Sequence, residues 1–84
     1  MKISIEPKQI NPLVTVDTFE WLGIAPNGYN PTTGILRAQC RVAAGTIPIG
    51  VSVISLNTND PETPWTSDEQ LCRLLAVKAG FTPA

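Results

Sequence analysis

The sequence predicts a small α+β fold, in which an antiparallel β-sheet or β-sandwich of about four strands is closed by one C-terminal helix. Two observations carry this prediction. Residues 65–84 contain every local signal of a single helix. Nearly everything before them has the alternation and the Val, Ile, Thr and aromatic content typical of strands. The 84 residues, 1–84, are enough for one domain with a single core.

The N-terminal part predicts two strands. In residues 3–6 isoleucine and polar residues alternate, which indicates a short half-buried strand, and Asn11-Pro12 ends it. The run Leu13–Ile24 changes phase, because its apolar residues before Asp17-Thr18 share one face and those after it share the other. We expect a β-bulge at Asp17-Thr18, and a strand covered on both faces is the alternative. The four residues concerned are Val14, Val16, Phe19 and Trp21.

Ala25–Gly34 is rich in Pro, Asn and Gly, and this predicts a loop in which Asn27-Gly28 adopts positive φ. A strand follows, and its outward residues are Arg37, Gln39 and Arg41. Its inward residues are Leu36, Ala38, Cys40 and Val42. Residues 43–46 then form a tight connection to a strand at Ile47–Leu56, whose apolar residues occupy first one phase and then the other. Because Pro48 has no N–H, this strand begins at a sheet edge or its first residues are unpaired.

A polar linker, Asn57–Pro64, leads to the predicted helix at about Ser67–Ala79. A capping box is predicted at Thr66-Ser67-Asp68-Glu69. In it a hydroxyl accepts a hydrogen bond from the N3 amide, and the Glu69 side chain accepts one from the amide of the cap residue. Gly80 is suited to the left-handed position that ends a helix, and Phe81 to folding back on the last turn. The apolar stripe, which we expect to pack on the inward residues of the third strand, is Leu71, Leu74 and Leu75, flanked by Cys72, Ala76 and Ala79.

Composition excludes several classes of function. The net charge is −1 and no basic stripe exists, which disfavours nucleic-acid binding. The chain has no histidine, and two cysteines alone do not complete a zinc site, so we expect no metal or other cofactor. No apolar stretch reaches membrane-span length and none has signal-peptide length, so we expect synthesis in the cytoplasm and no membrane partner. Charged residues make up only 15% of the chain, which suggests that other protein covers part of the surface.

No catalytic constellation is visible, and we expect neither an enzyme nor a small-molecule substrate. Without histidine, Ser-His and Cys-His pairs are impossible. We interpret Cys40 and Cys72 as apolar packing residues, and a cytoplasmic origin favours two thiols over a bridge. The Asp17/Glu20 pair is interpreted as a solvated strand edge. Asn57–Glu62 lacks the central glycine and distal glutamate of a calcium loop, and we interpret it as linker.

The candidate interface residues are Trp21, Tyr29, Ile35 and Ile54. Trp21 and the Tyr29 segment could form a stacking platform for a base or sugar. The alternative, which we favour, is that Trp21 belongs to the core and Tyr29 shields a loop, because lone aromatic residues usually pack.

Two segments carry a resemblance to a known class of proteins. They are the opening Lys2-Ile3-Ser4-Ile5-Glu6-Pro7-Lys8, and residues 65–84, with Trp65-Thr66-Ser67-Asp68 before the helix and Ala79-Gly80-Phe81-Thr82 after it. They resemble small virion structural proteins of tailed bacteriophages. The resemblance implies a subunit of the capsid, neck or tail that makes symmetric contacts with copies of itself and with other virion proteins, without catalysis or cofactor. The alternative function is a small host-directed binding or inhibitor protein.

Overall fold

The computed structural model of the protein describes residues 1–59 and 67–84. Within them the chain forms four strands and one helix: β1 (Lys2–Asn11), β2 (Val14–Asn30), β3 (Ile35–Ala44), β4 (Ile47–Asn57) and α1 (Asp68–Lys78). The strands form one antiparallel sheet in the order β1-β2-β3-β4, so each strand pairs with its neighbour in sequence. The predicted α+β fold is confirmed, and the described strands form a single sheet.

The core lies between one face of the sheet and α1. The helix lies close to β1, β2 and β4. Because β1 and β4 are opposite edges of the sheet, the sheet must curl around the helix. Leu36, Ala38 and Cys40 are fully buried and Val42 packs against the same cluster, which confirms the predicted inward face of β3. The helix contributes Leu71, Cys72, Leu75 and Ala76 to the core, and Leu74 is only partly buried beside it.

The N-cap of the helix lies one residue later than predicted, at Ser67, and the helix begins at Asp68. Ser67 has the extended backbone of an N-cap, and its Oγ accepts a hydrogen bond from the Gln70 amide at 3.1 Å. The capping hydroxyl is therefore that of Ser67, and the N3 residue is Gln70. Glu69 instead forms an ion pair with Arg73, one turn along, at 3.1 Å. Thr66 lies outside the described residues, as do Trp65 and the rest of the predicted linker from Asp60.

The predicted end of the helix is confirmed. Gly80 has a φ of 93°, in the left-handed region that glycine adopts without steric cost. The amide of Phe81 donates to the Ala76 carbonyl at 2.9 Å and the amide of Gly80 donates to the Val77 carbonyl at 3.0 Å. This is the hydrogen-bond pattern of a Schellman motif, and it turns the chain back towards the sheet.

The predicted loop at Ala25–Gly34 is wrong. Strand β2 continues to Asn30, and only residues 31–34 form the turn into β3. The reason is a long bulge, in which the four residues 25–28 of β2 lie opposite Arg37 alone. Asn27 takes the positive φ, 55°. Gly28 is needed for close approach, because a Cβ there would lie 2.6 Å from the carbonyl oxygens of Ala25 and Arg37.

The phase change in β2 coincides with an irregularity at the predicted place. Ser4 pairs with Thr18 and Lys8 pairs with Val16, so residues 5–7 of β1 lie opposite Asp17. The extra residues, which include Pro7, are thus on β1 and not on β2. The four residues of the two phases all border the same core: Val14, Val16, Phe19 and Trp21.

Candidate interaction surface

Strand β4 is an open edge of the sheet. It pairs with β3 on one side, and within residues 1–59 and 67–84 no segment pairs with its other side. Its eleven residues, IPIGVSVISLN, include no charged side chain. An edge strand with unpaired backbone groups can pair with another chain, and proteins commonly blunt such edges with charges. β4 carries no such charge, so it is the first candidate for an interaction site.

The apolar side chains of β4 are exposed. Val51 is 67% exposed and Val53 is 44% exposed. The register explains this, since Val51 lies opposite Arg41 and Val53 lies opposite Gln39, on the sheet face remote from α1. Ile47, at the start of the strand, is 65% exposed. A row of solvent-exposed β-branched residues therefore follows the open edge.

The second apolar phase of β4 faces inwards. Leu56 lies opposite Leu36 and is buried, and Ile54 lies opposite Ala38 and is half-buried against the core. Between this face and the end of α1 lies an open groove of about 340 Å³. Its apolar lining includes Ile10, Val42, Ile49, Ile54, Ala79 and Phe81. The open edge is thus bordered by exposed valines and by an apolar groove, and Val51 also contributes to the lining of that groove.

The Asp17/Glu20 pair does not form a reactive site. The pair lies on β2, an interior strand of the sheet, where Asp17 is exposed and Glu20 is half-buried. The Asp17 carboxylate accepts hydrogen bonds from the Gly45 amide at 2.9 Å and the Thr18 hydroxyl at 3.0 Å. These bonds, the Gly45 one first, hold the pKa of Asp17 below its ordinary value. Glu20 instead pairs with Arg41 at 2.6 Å. Each carboxylate already has a structural partner.

Both cysteines are buried free thiols, as the sequence predicted. Burial raises the pKa of Cys40 to about 12, with a smaller contribution from the neighbouring Cys72. Burial also raises the pKa of Cys72, whose Sγ lies 3.5 Å from the Met1 carbonyl oxygen. Because the thiolate is the reactive form, these shifts disfavour nucleophilic chemistry at neutral pH.

The four candidate interface residues do not form one patch. Trp21 and Tyr29 lie opposite Cys40 and Leu36, which are four residues apart on β3, or about 13 Å. They are therefore too far apart for the stacking platform, and Trp21 packs against the core as favoured. Ile35 is half-buried at the start of β3, next to Leu36, the register partner of Tyr29, and Tyr29 is exposed. Ile54 is the member of the set that lies on the open edge strand and lines the groove.

Sequence reasoning missed the exposed row of β4. The alternation of β4 predicts an apolar phase that contains Val51 and Val53 but does not predict that this phase faces solvent. Of the two alternatives that Pro48 left open, the structure shows the edge strand, and its first residues are paired with β3. The absence of charge over eleven residues is the signal that distinguishes this edge. An edge prediction combined with that absence indicates an interaction surface.

The calcium-like segment lies only partly within the described residues. Its first three residues form a turn in which Asn59 donates to Asn57 Oδ1 at 3.0 Å and the Thr58 hydroxyl donates to the Gly34 carbonyl at 2.7 Å. Residues 60–62 lie outside the described part. Among the described residues no three His, Cys, Asp or Glu side chains come together as a metal site. No helix in that part of the chain has the length and apolar character to cross a membrane.

In comparisons with known proteins, the chain has no significant match to a family, a curated protein or a solved structure.

Proposed function

We propose that the protein is a non-catalytic structural subunit that assembles by symmetric protein–protein contacts in the capsid, neck or tail of a tailed-bacteriophage particle. The observation that carries the assembly part is the open, uncharged edge of β4 with its exposed valines. The virion part is supported by the resemblance of residues 2–8 and 65–84 to small virion proteins.

The energetics favour a use for this surface. A domain of this size has only a few kcal/mol of net stability, and so many small domains depend on oligomerisation. Burying an exposed valine is worth on the order of 1.5–3 kcal/mol when burial is complete. The 67% and 44% exposures of Val51 and Val53 leave much of that free energy available to an assembled state.

The experiment that tests the proposal is to look for the protein in particles. Particles from infected cells that carry the gene are purified by density gradient and quantified by mass spectrometry. We expect the protein at a fixed ratio to the other particle proteins. Absence from purified particles, with abundant free protein in the same lysate, would rule the proposal out.

A matched pair of variants links particle incorporation to β4. Val51→Lys places a charge on the exposed edge, and Val77→Lys places the same charge on α1, at a residue that is 60% exposed and does not line the groove beside β4. We expect only Val51→Lys to be lost from particles. A host-directed binder would instead be recovered with one stoichiometric host protein and would be missing from particles with either variant.

A further inference from the structure

The open edge of β4 is chemically self-complementary. No residue of the strand is charged, so two copies can approach without like-charge repulsion. The exposed Val51 and Val53 flank Ser52 symmetrically. We propose that β4 pairs antiparallel with β4 of a second copy about a two-fold axis at Ser52, which joins two four-stranded sheets into one. A second copy of the chain is thus the partner of the β4 surface. The place of this dimer in a particle rests on the proposed function.

The proposed register brings matching side chains together. Val51 lies beside Val53 of the second copy, so four valines form one cluster on the face remote from α1. On the other face, Gly50 lies beside Ile54 of the second copy. A side chain has room there, since no atom of residues 1–59 or 67–84 lies within 4 Å of the position that a Cβ on Gly50 would take. Ile54 of the second copy can therefore occupy the groove that Gly50 and Ile49 line.

The other edge of the sheet limits the assembly to a pair. The Glu6 amide donates to the Thr82 carbonyl at 2.8 Å and the Ala84 amide donates to the Ser4 carbonyl at 3.0 Å. Ile5 and Pro83 complete this bridge along β1. Residues 82–84 occupy the β1 edge at residues 4–6, so among the described residues β4 is the edge strand with no segment on its outer side. A single free edge gives a closed two-fold dimer, and not a ribbon that grows from both ends.

A stable dimer must bury more surface than the pairing of the two strands alone provides, so the groove must also be filled. An eleven-residue strand spans about 36 Å, and backbone pairing alone covers a strip only one strand wide. Standard interfaces bury about 800 Å² per partner. The 340 Å³ groove lies directly beside the strip, and filling it with Ile54 of the second copy adds the missing apolar contact.

Analytical ultracentrifugation of three proteins tests the dimer. They are the wild type, the double variant Val51→Lys/Val53→Lys, and Val77→Lys as the matched control. We expect wild type and Val77→Lys to be dimers, and the double variant to have a dissociation constant raised at least about 100-fold. Circular dichroism should show an unchanged fold, because the substituted side chains are exposed. A wild type that remains monomeric up to about 1 mM would overturn the proposal.

Disulfide capture tests the strand register without introducing a charged side chain. In the proposed pairing, Ser52 faces Ser52 of the second copy, within the 4.4–6.8 Å Cα separation that disulfides require. The exposed Ser55 lies about 20 Å along the sheet from its counterpart. We expect mild oxidation to convert Ser52→Cys, and neither Ser55→Cys nor wild type with its two buried thiols, to a reducible dimer. Capture of Ser55→Cys in preference to Ser52→Cys would overturn the register.

The two proposals fail separately. Wild-type monomers recovered from particles would overturn the β4 dimer and leave the structural function standing. A Ser52-linked dimer from a protein absent from particles would do the opposite.

Discussion

The two edge strands of the sheet have nearly the same length but are treated very differently by the chain. β1, with ten residues, contains Lys2, Glu6, Pro7 and Lys8, whereas β4, with eleven, contains no charged residue. The outer side of β1 receives the C-terminal residues 82–84, which hydrogen-bond to it. Within the described residues, nothing covers the outer side of β4. Both devices on β1, the charges and the covering segment, are ones that prevent edge-to-edge pairing.

The closure of β1 depends on how the helix ends. After Gly80, Phe81 packs with its ring centroid 6.0 Å from that of Phe19. Lys8 donates to the Gly80 carbonyl at 2.9 Å and lies 5.3 Å from the Phe81 ring centroid. These contacts place the last residues along β1. The difference between the edges is therefore that residues 82–84 cover part of the outer side of β1, whereas no described residue pairs with the outer side of β4.

The largest expected effect comes from loosening the helix that carries this closure. Leu75 is fully buried beneath the sheet, so Leu75→Ala should lower the free energy of unfolding by about 2–5 kcal/mol, a large part of the stability of so small a domain. Urea titration followed by circular dichroism measures it.

The control is Arg73→Ala on the exposed side of the same helix. Its ion pair with Glu69 contributes only about 0.3–0.5 kcal/mol, and its removal should be nearly silent. If Leu75→Ala leaves the unfolding midpoint unchanged and abolishes assembly, then α1 is an interface with another subunit and not the cover of this core.

The next effect isolates the edge closure from the core. Phe81 is only partly buried, so Phe81→Ala should cost about 2 kcal/mol, below the value for a fully buried phenylalanine. More specifically, the Glu6 amide should lose its protection from hydrogen exchange, because its acceptor is the Thr82 carbonyl. Phe81→Leu should retain most of both properties. Unchanged exchange at Glu6 in Phe81→Ala would mean that residues 82–84 hold to β1 without this anchor.

A smaller effect is expected from the cation that joins β1 to the helix end. Lys8→Met keeps the apolar stem but removes the hydrogen bond to Gly80 and the contact of the ammonium with the Phe81 ring. The expected loss is about 1 kcal/mol, which salt should reduce in the wild type only. Lys2→Met, on the same strand, serves as the control and should change stability less. Equal effects of the two substitutions would show that net charge matters and the Lys8 contacts do not.

The structural features that the sequence could predict are those with a signal in neighbouring residues. The helix and β3 were predicted correctly, because the 3.6-residue period with its terminal glycine and the strict alternation of residues 36–42 each stand out within a few positions. Pro48 limited β4 to two alternatives, an edge strand or a strand with unpaired first residues, and the structure shows the edge strand.

The remaining features depend on pairing between distant segments. The sequence Asn27-Gly28 is equally compatible with a turn and with a long bulge, and only the pairing of β2 with β3 decides between them. Which phase of β4 faces solvent depends on the β3 register, in which Gly50 lies opposite Val42 and Pro48 lies opposite Ala43, so that Ile49 has no partner on β3. The cover over β1 uses backbone hydrogen bonds of residues 82–84, which leave no side-chain signal in the sequence.

The smallest expected effect concerns how the start of β4 is held. The Asp17 carboxylate accepts from the Gly45 amide in the β3–β4 turn and so ties that turn to β2. Since this bond lowers the pKa of Asp17 below 3.8 in the folded protein, the carboxylate stabilises the fold above that pH. The contribution is lost as the pH falls through the lowered pKa. Asp17→Asn should therefore be slightly less stable at pH 7, and its unfolding midpoint should decline less between about pH 5 and pH 2. Parallel pH profiles for the two proteins, measured by thermal melts, would show that the bond does not stabilise the turn that leads into the open edge.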